Sequence, residues 1–309
     1  MALRRRAMFF TIIGITLVGI LILSFNLSTH YDRSDTAFVT EMRIYSMNNF
    51  IIGVEDDLER GLYITSVRSL ISLSEYIAEN GTFLDDTEQR FSEAFLNGTV
   101  NGTAIIMMND STFLNWTERI SEQAAKLMIA ANFTVNDVAI FHEDPWAVTV
   151  ALNITMLTED MKQTASWERT TQVRTNISIL EFEDPLYVVN TLGRVANKII
   201  VTNITTFVVN NDTTNLQLQV NHSYYLASEQ APSFLMRLEN NLSSSPNGIE
   251  SLVNLDTLTL QGITTKTRSV VDYIYFGDQS VTDHEILFMP EWFRLDDEHL
   301  EVYECEDLT

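Results

Sequence analysis

The chain has 309 residues, 42 of them acidic against 19 basic, for a net charge of −23. A surface of that sign repels nucleic acid and anionic lipid headgroups, so neither is expected as a partner. Cys305 is the single cysteine, which excludes an intramolecular disulfide framework.

The N-terminus reads MALRRRAMFFTIIGITLVGILILSF, with Arg4, Arg5 and Arg6 ahead of an uncharged run from Ala7 to Phe25. At about 1.5 Å per helical residue that run reaches roughly 28 Å, close to the hydrocarbon thickness of a bilayer. A cleaved secretory signal is the alternative, but its apolar region is shorter and ends at a small-x-small site. The residues that follow here, NLSTHYDRSD, hold no Ala-x-Ala. The expectation is a cytoplasmic basic tip over 1–6, a transmembrane helix over 7–25, and the remainder outside the cell membrane, the orientation that basic flanks impose. No second apolar run reaches the roughly 18 residues that a span needs.

Residues 26–80 read as a stalk helix continuing out of the membrane. Between Tyr31 and Ala78 there is no proline, and Gly53 and Gly61 are the only glycines. Ile44, Met47, Ile51, Val54 and Leu58 recur at alternating spacings of three and four. Tyr63, Val67, Leu70 and Ile77 continue an apolar face displaced past Gly61, where a break is expected. Asn80-Gly81 is a stop signal. Such a stripe either packs on the chain's own head or pairs with a partner helix in a homo-oligomer.

An α+β head is expected over 81–240. A helix over 117–131 carries Ile120, Ala124, Leu127, Met128 and Ala131 on one face, and then the period changes to two. In WAVTVALNITM the apolar set is Trp146, Val148, Val150, Leu152, Ile154 and Met156, and in SWERTTQVRTNISIL it includes Trp167, Val173, Ile177 and Ile179. With NFTVNDVAIF before them, these runs predict an antiparallel β-meander of half-buried strands. Farther on, PLYVVNTLGRVANKI, PSFLMRLENN and GIESLVNL read as helices, and KIIVTNITTFVV and TRSVVDYIYFG as strands. The tail MPEWFRLDDEHLEVYE is amphipathic, so 241–309 is expected to pack back on the head.

Asparagines followed two residues later by Ser or Thr are crowded along this exterior. With 23 asparagines and 55 Ser plus Thr, roughly 4 such triplets would arise by chance under the glycan-acceptor rule. There are thirteen: Asn26, Asn80, Asn97, Asn101, Asn109, Asn115, Asn132, Asn153, Asn176, Asn203, Asn211, Asn221 and Asn241. Asn-Gly and Asn-Asp pairs also make turns, which accounts for Asn80, Asn97, Asn101, Asn109 and Asn211 but not for those in β-rich runs. Asn153 and Asn176 fall on the polar face of the predicted strands, where a glycan could stand. The last twelve of the thirteen are the candidate glycosylation sites, with Asn97, Asn101, Asn109 and Asn115 expected along an exposed rim.

Motifs for catalysis are missing: there is no Gly-x-Ser-x-Gly, no His-Glu-x-x-His and no phosphate loop. His142 with Glu143 and Asp144 beside a proline turn, and Asp296, Asp297, Glu298 and His299 in sequence, are the nearest approaches to ligand sets. The second reads as a solvated acidic face, because consecutive helical residues point in different directions. Glu55, Asp56 and Asp57 read as surface, and Cys305 as an incidental thiol near the end. No catalytic, cofactor or metal residue is assigned, no cofactor is implied, and the head's ligand is left open.

The stretches RFSEAFLNGTVNGT, FEDPLYVVNTLGRVANKI, APSFLMRLENN, GIESLVNL and SVVDYIYF resemble an uncharacterised family of archaeal single-span envelope proteins from small-genome lineages. That resemblance covers most of the chain and brings no functional residues with it. RRRA followed by MFFTIIGITL is similar to an archaeal type IV prepilin signal, which implies a cut between Ala7 and Met8 and an apolar helix kept as a filament core. The reading is a membrane-anchored, N-glycosylated archaeal cell-envelope protein with a structural, adhesive or recognition role. A pilin-like filament subunit is the alternative, and an extracellular hydrolase with a site assembled from distant residues is the third.

Overall fold

A computed structural model describes residues 2–277 and 279–305, with side chains from 15 to 24 and from 38 onward within that range. The architecture is α+β with antiparallel sheets. The first element is one helix, α1 (Ala2–Asn80), unbroken at Gly61. That glycine serves close packing instead: a Cβ there would stand 2.8 Å from Cε2 of Trp116, so only glycine lets the indole lie against the helix backbone. The helix stops at the Asn-Gly pair, where Gly81 takes φ +64° and its N–H donates to the Ile77 carbonyl at 2.8 Å.

Among the described residues no helix is long and apolar enough to cross a membrane. The span expected over 7–25 falls partly outside them, since the side chains of 7–14 and 25 are not described. The side chains of Arg4 to Arg6 and Asn26 are not described either. In the described part, Ile15, Leu17, Val18, Ile20, Leu21, Ile22 and Leu23 are all exposed.

The chain divides into two compact units, 1–56 with 120–132 and 156–169, and 57–119 with 133–155 and 170–309. In the first, Met47, Ile51 and Val54 of the predicted stripe are buried, and so are Ala124, Ile129, Ala131 and Met156. Arg43 forms an ion pair with Asp160 and donates to the Leu127 and Met128 carbonyls at 3.3 and 3.0 Å. The Thr164 hydroxyl and then Arg43 hold the Asp160 carboxyl below the usual carboxylate range. Glu55, expected at the surface, is half-buried and paired with Arg169 at 2.8 Å. Ile44, the first residue of the predicted stripe, is exposed instead, and Phe38, Met42, Tyr45 and Ile52 are exposed on another face of this part of α1.

In the second unit, Leu58, Leu62, Leu70, Leu73 and Ile77 of α1 enter a core with Phe91, Ala94 and Phe95 of α2 (Thr87–Asn97). The displaced face is the expected one at Leu70 and Ile77, which are buried, and at the half-buried Val67, but not at Tyr63. Tyr63 is 47% exposed, and the small residues Thr65, Ser66, Ser69 and Ser72 are buried in its place. Asp86 caps α2 by accepting from the Gln89 N–H at 2.9 Å. Next comes a hairpin of β1 (Thr99–Val100) and β2 (Thr103–Ala104). Its turn residues Asn101 and Gly102 have φ +51° and +75°, the conformation that Asn-Gly adopts in a type I′ turn.

Helix α3 (Phe113–Lys126) begins before the predicted position 117 and ends well short of Ala131. Thr112 Oγ1 accepts from the Asn115 N–H at 3.1 Å, and Asn115 Oδ1 accepts from the Thr112 N–H at 3.2 Å, a reciprocal cap that fixes the start. Past its end, Met128 takes φ +60°, so Ala131 joins a strand. That strand, β3 (Ile129–Asp144), with β4 (Ala147–Asp160) and β5 (Ser166–Ser178), forms the meander in the order β3-β4-β5. On β5 the alternation is as expected: Ile177 is buried and Trp167 and Val173 are half-buried, while Glu168, Thr170, Gln172, Arg174 and Asn176 are exposed. The central strand β4 buries Thr149 and Ala151 as well as Val148, Val150 and Leu152. On β3 the inward set slips by one residue at the exposed pair Asn136 and Asp137, the mark of a bulged strand.

After the sheet the elements are short: α4 (Pro185–Asn190), α5 (Thr214–His222), β6 (Tyr225–Ala227), α6 (Phe234–Leu238), β7 (Ile249–Ser251), α7 (Leu255–Leu260), α8 (Asp272–Phe276), β8 (Asp283–Glu285), β9 (Arg294–Asp296) and α9 (Asp297–Val302). Several differ from expectation. GIESLVNL supplies strand β7, paired antiparallel with β6 through Ala227 and Ile249. TRSVVDYIYFG supplies helix α8. KIIVTNITTFVV makes only isolated bridges, such as Val201 with Tyr225. Helix α4 ends after six residues, where Leu192 and Gly193 take positive φ. A second apolar cluster gathers here around Leu186, Tyr187, Leu216, Leu252, Val271 and Phe293.

Gly61→Ala is expected to destabilise the protein by about 1–3 kcal/mol through overpacking against Trp116, despite the roughly 1 kcal/mol that alanine gains at an open helical position. Gly53→Ala, whose Cβ would meet nothing within 4 Å, should stabilise it by up to about 1 kcal/mol. Urea titrations compare the two; shifts of the same sign and size would contradict the packing described.

Candidate functional site

The twelve candidate acceptor asparagines are spread over every kind of element. Asn80, Asn97, Asn101, Asn109, Asn132, Asn176, Asn203, Asn211, Asn221 and Asn241 are exposed, Asn115 and Asn153 are half-buried, and none is buried. Asn115 is thus less open than an exposed rim would make it, because its Oδ1 is committed to the α3 cap. Asn153 Oδ1 accepts from Asn136 Nδ2 at 3.1 Å, and Asn176 Oδ1 accepts from the Thr149 hydroxyl at 2.9 Å. Asn241 Oδ1 accepts from the hydroxyl of Ser243, its own triplet partner, at 2.7 Å. No described hydrogen bond joins two acceptor asparagines, so they form a distributed surface rather than one site.

The chemistry that does come together is buried in the second unit. Arg237 on α6 is wholly buried, and its Nη1 donates to Asp184 Oδ2 at 2.6 Å and Asp272 Oδ2 at 2.9 Å. Nη2 reaches Asp272 Oδ1 at 3.2 Å and the Ile249 carbonyl. Asp184 also accepts from the Tyr225 hydroxyl at 2.7 Å, and Asp272 from Ser251 Oγ at 2.8 Å. One guanidinium between two carboxylates leaves this group short of a positive charge. Burial, with the Asp184 charge beside it, pushes the Asp272 carboxyl up against the pull of Arg237.

A second network lies one residue along each of two elements. Glu250 on β7, beside Ser251, and Tyr273 on α8, beside Asp272, both meet His299 of α9. His299 Nδ1 contacts Asp296 Oδ1 at 2.7 Å and Nε2 contacts Glu250 Oε2 at 3.2 Å. Tyr303 donates to Glu250 Oε1 at 3.0 Å. Asp296 and His299 are therefore buried, against the solvated face expected of DDEH, while Asp297 and Glu298 do face solvent. Burial alone would lower the His299 pKa, but the hydrogen bonds and charges of Asp296 and Glu250 outweigh it and raise it to about 10. At neutral pH the ring is an imidazolium locked between carboxylates and cannot take up a proton as a general base.

An open groove of 810 Å³ reaches the edge of this network through Tyr273 and Asp296, and Glu229, Asp297 and Glu298 line it with Ser243, Ser280 and Thr282. Among the described residues no group of three or more His, Cys, Asp or Glu side chains is placed to hold a metal ion. His142 pins the chain: burial lowers its pKa, Nδ1 meets the Ala147 carbonyl at 2.9 Å, and Nε2 accepts from the Leu235 N–H at 3.4 Å. Burial pushes the Cys305 thiol up to about 12, which makes it unreactive.

A second groove, of 310 Å³, has the opposite character. Arg60, Arg68 and Arg119 line it with Gly61, Ile64, Thr65, Trp116, Asp57 and Asp110. No local pattern in the sequence marks these residues, because α1 and α3 bring them together from distant positions. A signal did exist for the buried network. Arg237 in SFLMRL and Asp272 in VVDYIYF are lone charges of opposite sign, each inside an apolar run.

No protein-family model, curated protein or solved structure matches the chain.

Removing Arg237 would strand two carboxylates in the core. Arg237→Met is expected to cost about 3–5 kcal/mol, and adding Asp184→Asn and Asp272→Asn should recover part of it; guanidinium denaturation measures both. The His299 ion pairs stabilise the fold fully below the free-imidazole value of 6.5, and that stabilisation is lost as pH rises through about 10. The thermal midpoint should fall between those pH values, and His299→Gln should lower the neutral-pH midpoint and flatten the alkaline decline.

Proposed function

We propose that the chain is a glycosylated recognition protein of the cell envelope, anchored by the apolar N-terminal part of α1, and not a hydrolase. The observation that carries this reading is the combination of a threefold excess of acceptor triplets over the roughly 4 expected by chance with the exposure of their asparagines. Of the twelve described, ten are exposed and none is buried. Turn chemistry accounts for Asn101, which sits in a type I′ turn, but not for Asn132 on β3 or Asn176 on β5. The basic tip ahead of the uncharged run supports an inward N-terminus, and the resemblance to archaeal single-span envelope proteins points to the same setting. Against a hydrolase stands His299, which is sealed in the core between Asp296 and Glu250 and already protonated at neutral pH.

Glycopeptide mass spectrometry on protein taken from its native cells checks the coat. Sugar is expected on most of the ten exposed asparagines, and bare asparagines at nearly all of them would overturn the reading. Protease added to intact cells should digest the head without lysis if residues 30–309 lie outside.

A further inference from the structure

We infer that the groove between α1 and α3 binds a sugar acid, a hydroxylated ring bearing one carboxylate. Arg68 donates to Ser111 Oγ and Arg119 to the Asp110 carbonyl, so two guanidinium groups converge on consecutive residues of one loop. Elsewhere, Arg43, Arg90, Arg169, Arg174, Arg237 and Arg294 each hold a carboxylate, while Arg194 and Arg268 donate to backbone carbonyls. Arg68 and Arg119 have no carboxylate within 4.0 Å among the described residues, in a chain with 42 acidic side chains. Arg60 adds a third cation, tied only loosely to Asp57 at 3.4 Å. Unpaired guanidinium forks match a carboxylate in shape and charge, and the start of α3 at Phe113 adds partial positive charge beside them.

The remaining lining narrows the ligand. Asp57 and Asp110 face the same space; they repel a dianion such as phosphate but accept from ring hydroxyls. Thr65 and the Trp116 indole complete a lining with both polar and apolar surface, as a sugar ring requires. At 310 Å³ the groove lies at the small end of ligand clefts, room for one ring. Asn109 directly precedes Asp110 and Asn115 directly precedes Trp116, so a glycan on either would be rooted at the rim. The ligand can therefore come from the chain's own coat or from another molecule; the first source rests on the glycoprotein reading, and the groove itself does not.

The test uses the full chain produced without glycosylation, titrated by calorimetry with glucuronate, glucose and inorganic phosphate. Glucuronate should bind with a dissociation constant near 1 mM, and glucose and phosphate at least about tenfold more weakly. Arg68→Gln and Arg119→Gln should each weaken glucuronate about tenfold, while Arg174→Gln, which alters an exposed pair elsewhere, should leave it unchanged. Circular dichroism confirms that each variant is folded, and a variant that fails leaves the other to decide. Glucuronate binding no tighter than glucose, tighter binding of phosphate, or affinity unchanged in the folded arginine variants would overturn the inference. Glucuronate binding retained by a protein whose native form carries no sugar would sink the coat and leave the groove. If native glycosylated protein binds glucuronate more weakly than the bare chain, the occupant is its own glycan; equal binding assigns the groove to a foreign one.

Discussion

The buried guanidinium of Arg237 is the interaction on which the C-terminal half of the structure depends. Removing a charge from water costs several kcal/mol per ion, and here one cation and two carboxylates are removed together. That cost is offset only if every donor finds an acceptor, and Arg237 finds them on three different elements and a loop. Asp184 is the N-cap of α4, Asp272 opens α8, Ile249 lies on β7, and Pro232 precedes α6. Phe234 and Leu238 on the same short helix belong to one apolar cluster, and Leu186 and Tyr273 beside the two carboxylates belong to the other. The ion network therefore lies at the seam of the two clusters and fixes their register more sharply than apolar contact could, since hydrogen bonds are directional and burial is not.

The His299 network extends the same construction rather than adding an active centre. Glu250 and Ser251, consecutive on β7, serve the two networks separately, and so do Asp272 and Tyr273 on α8. Interior acid groups are thus distributed so that each has a donor. The arginine groove lies elsewhere, along α1 and α3. None of the residues that line that groove belongs to either buried network.

Legibility in the sequence followed element length. The stop of α1 at Asn80-Gly81 and the alternation of β5 could be read directly, because each is set by local backbone chemistry or by a period sustained over many residues. The displaced face of α1 could be read only in part: Leu70 and Ile77 are buried as expected, but Tyr63 is exposed. The small buried residues Ser66, Ser69 and Ser72 look polar, and only the neighbouring core shows that they are covered. After residue 184 most elements have six residues or fewer, too few turns or alternations for periodicity to decide. There GIESLVNL becomes strand and VVDYIYF becomes helix because long-range partners outweigh local preference. The DDEH run failed for a related reason: Asp296 closes a strand and His299 lies inside the following helix, so consecutive residues belong to different environments. The arginine groove was illegible because positions 68, 111 and 119 meet only through the packing of α1 and α3.

The spacing of the Arg237 partners also sets an order of events during synthesis. Asp184 emerges 53 residues before Arg237, and Arg237 emerges 35 residues before Asp272. Until α8 has left the ribosome, the guanidinium lacks one of its two carboxylates, and desolvating it is unfavourable. The helix and sheet of the nascent head can associate early, but the C-terminal cluster cannot close over Arg237 until Asp272 has emerged. Translation thus imposes a checkpoint: a product truncated before Asp272 keeps an open, hydrated seam with apolar clusters exposed beside it, the kind of surface by which quality-control machinery recognises an unfinished chain.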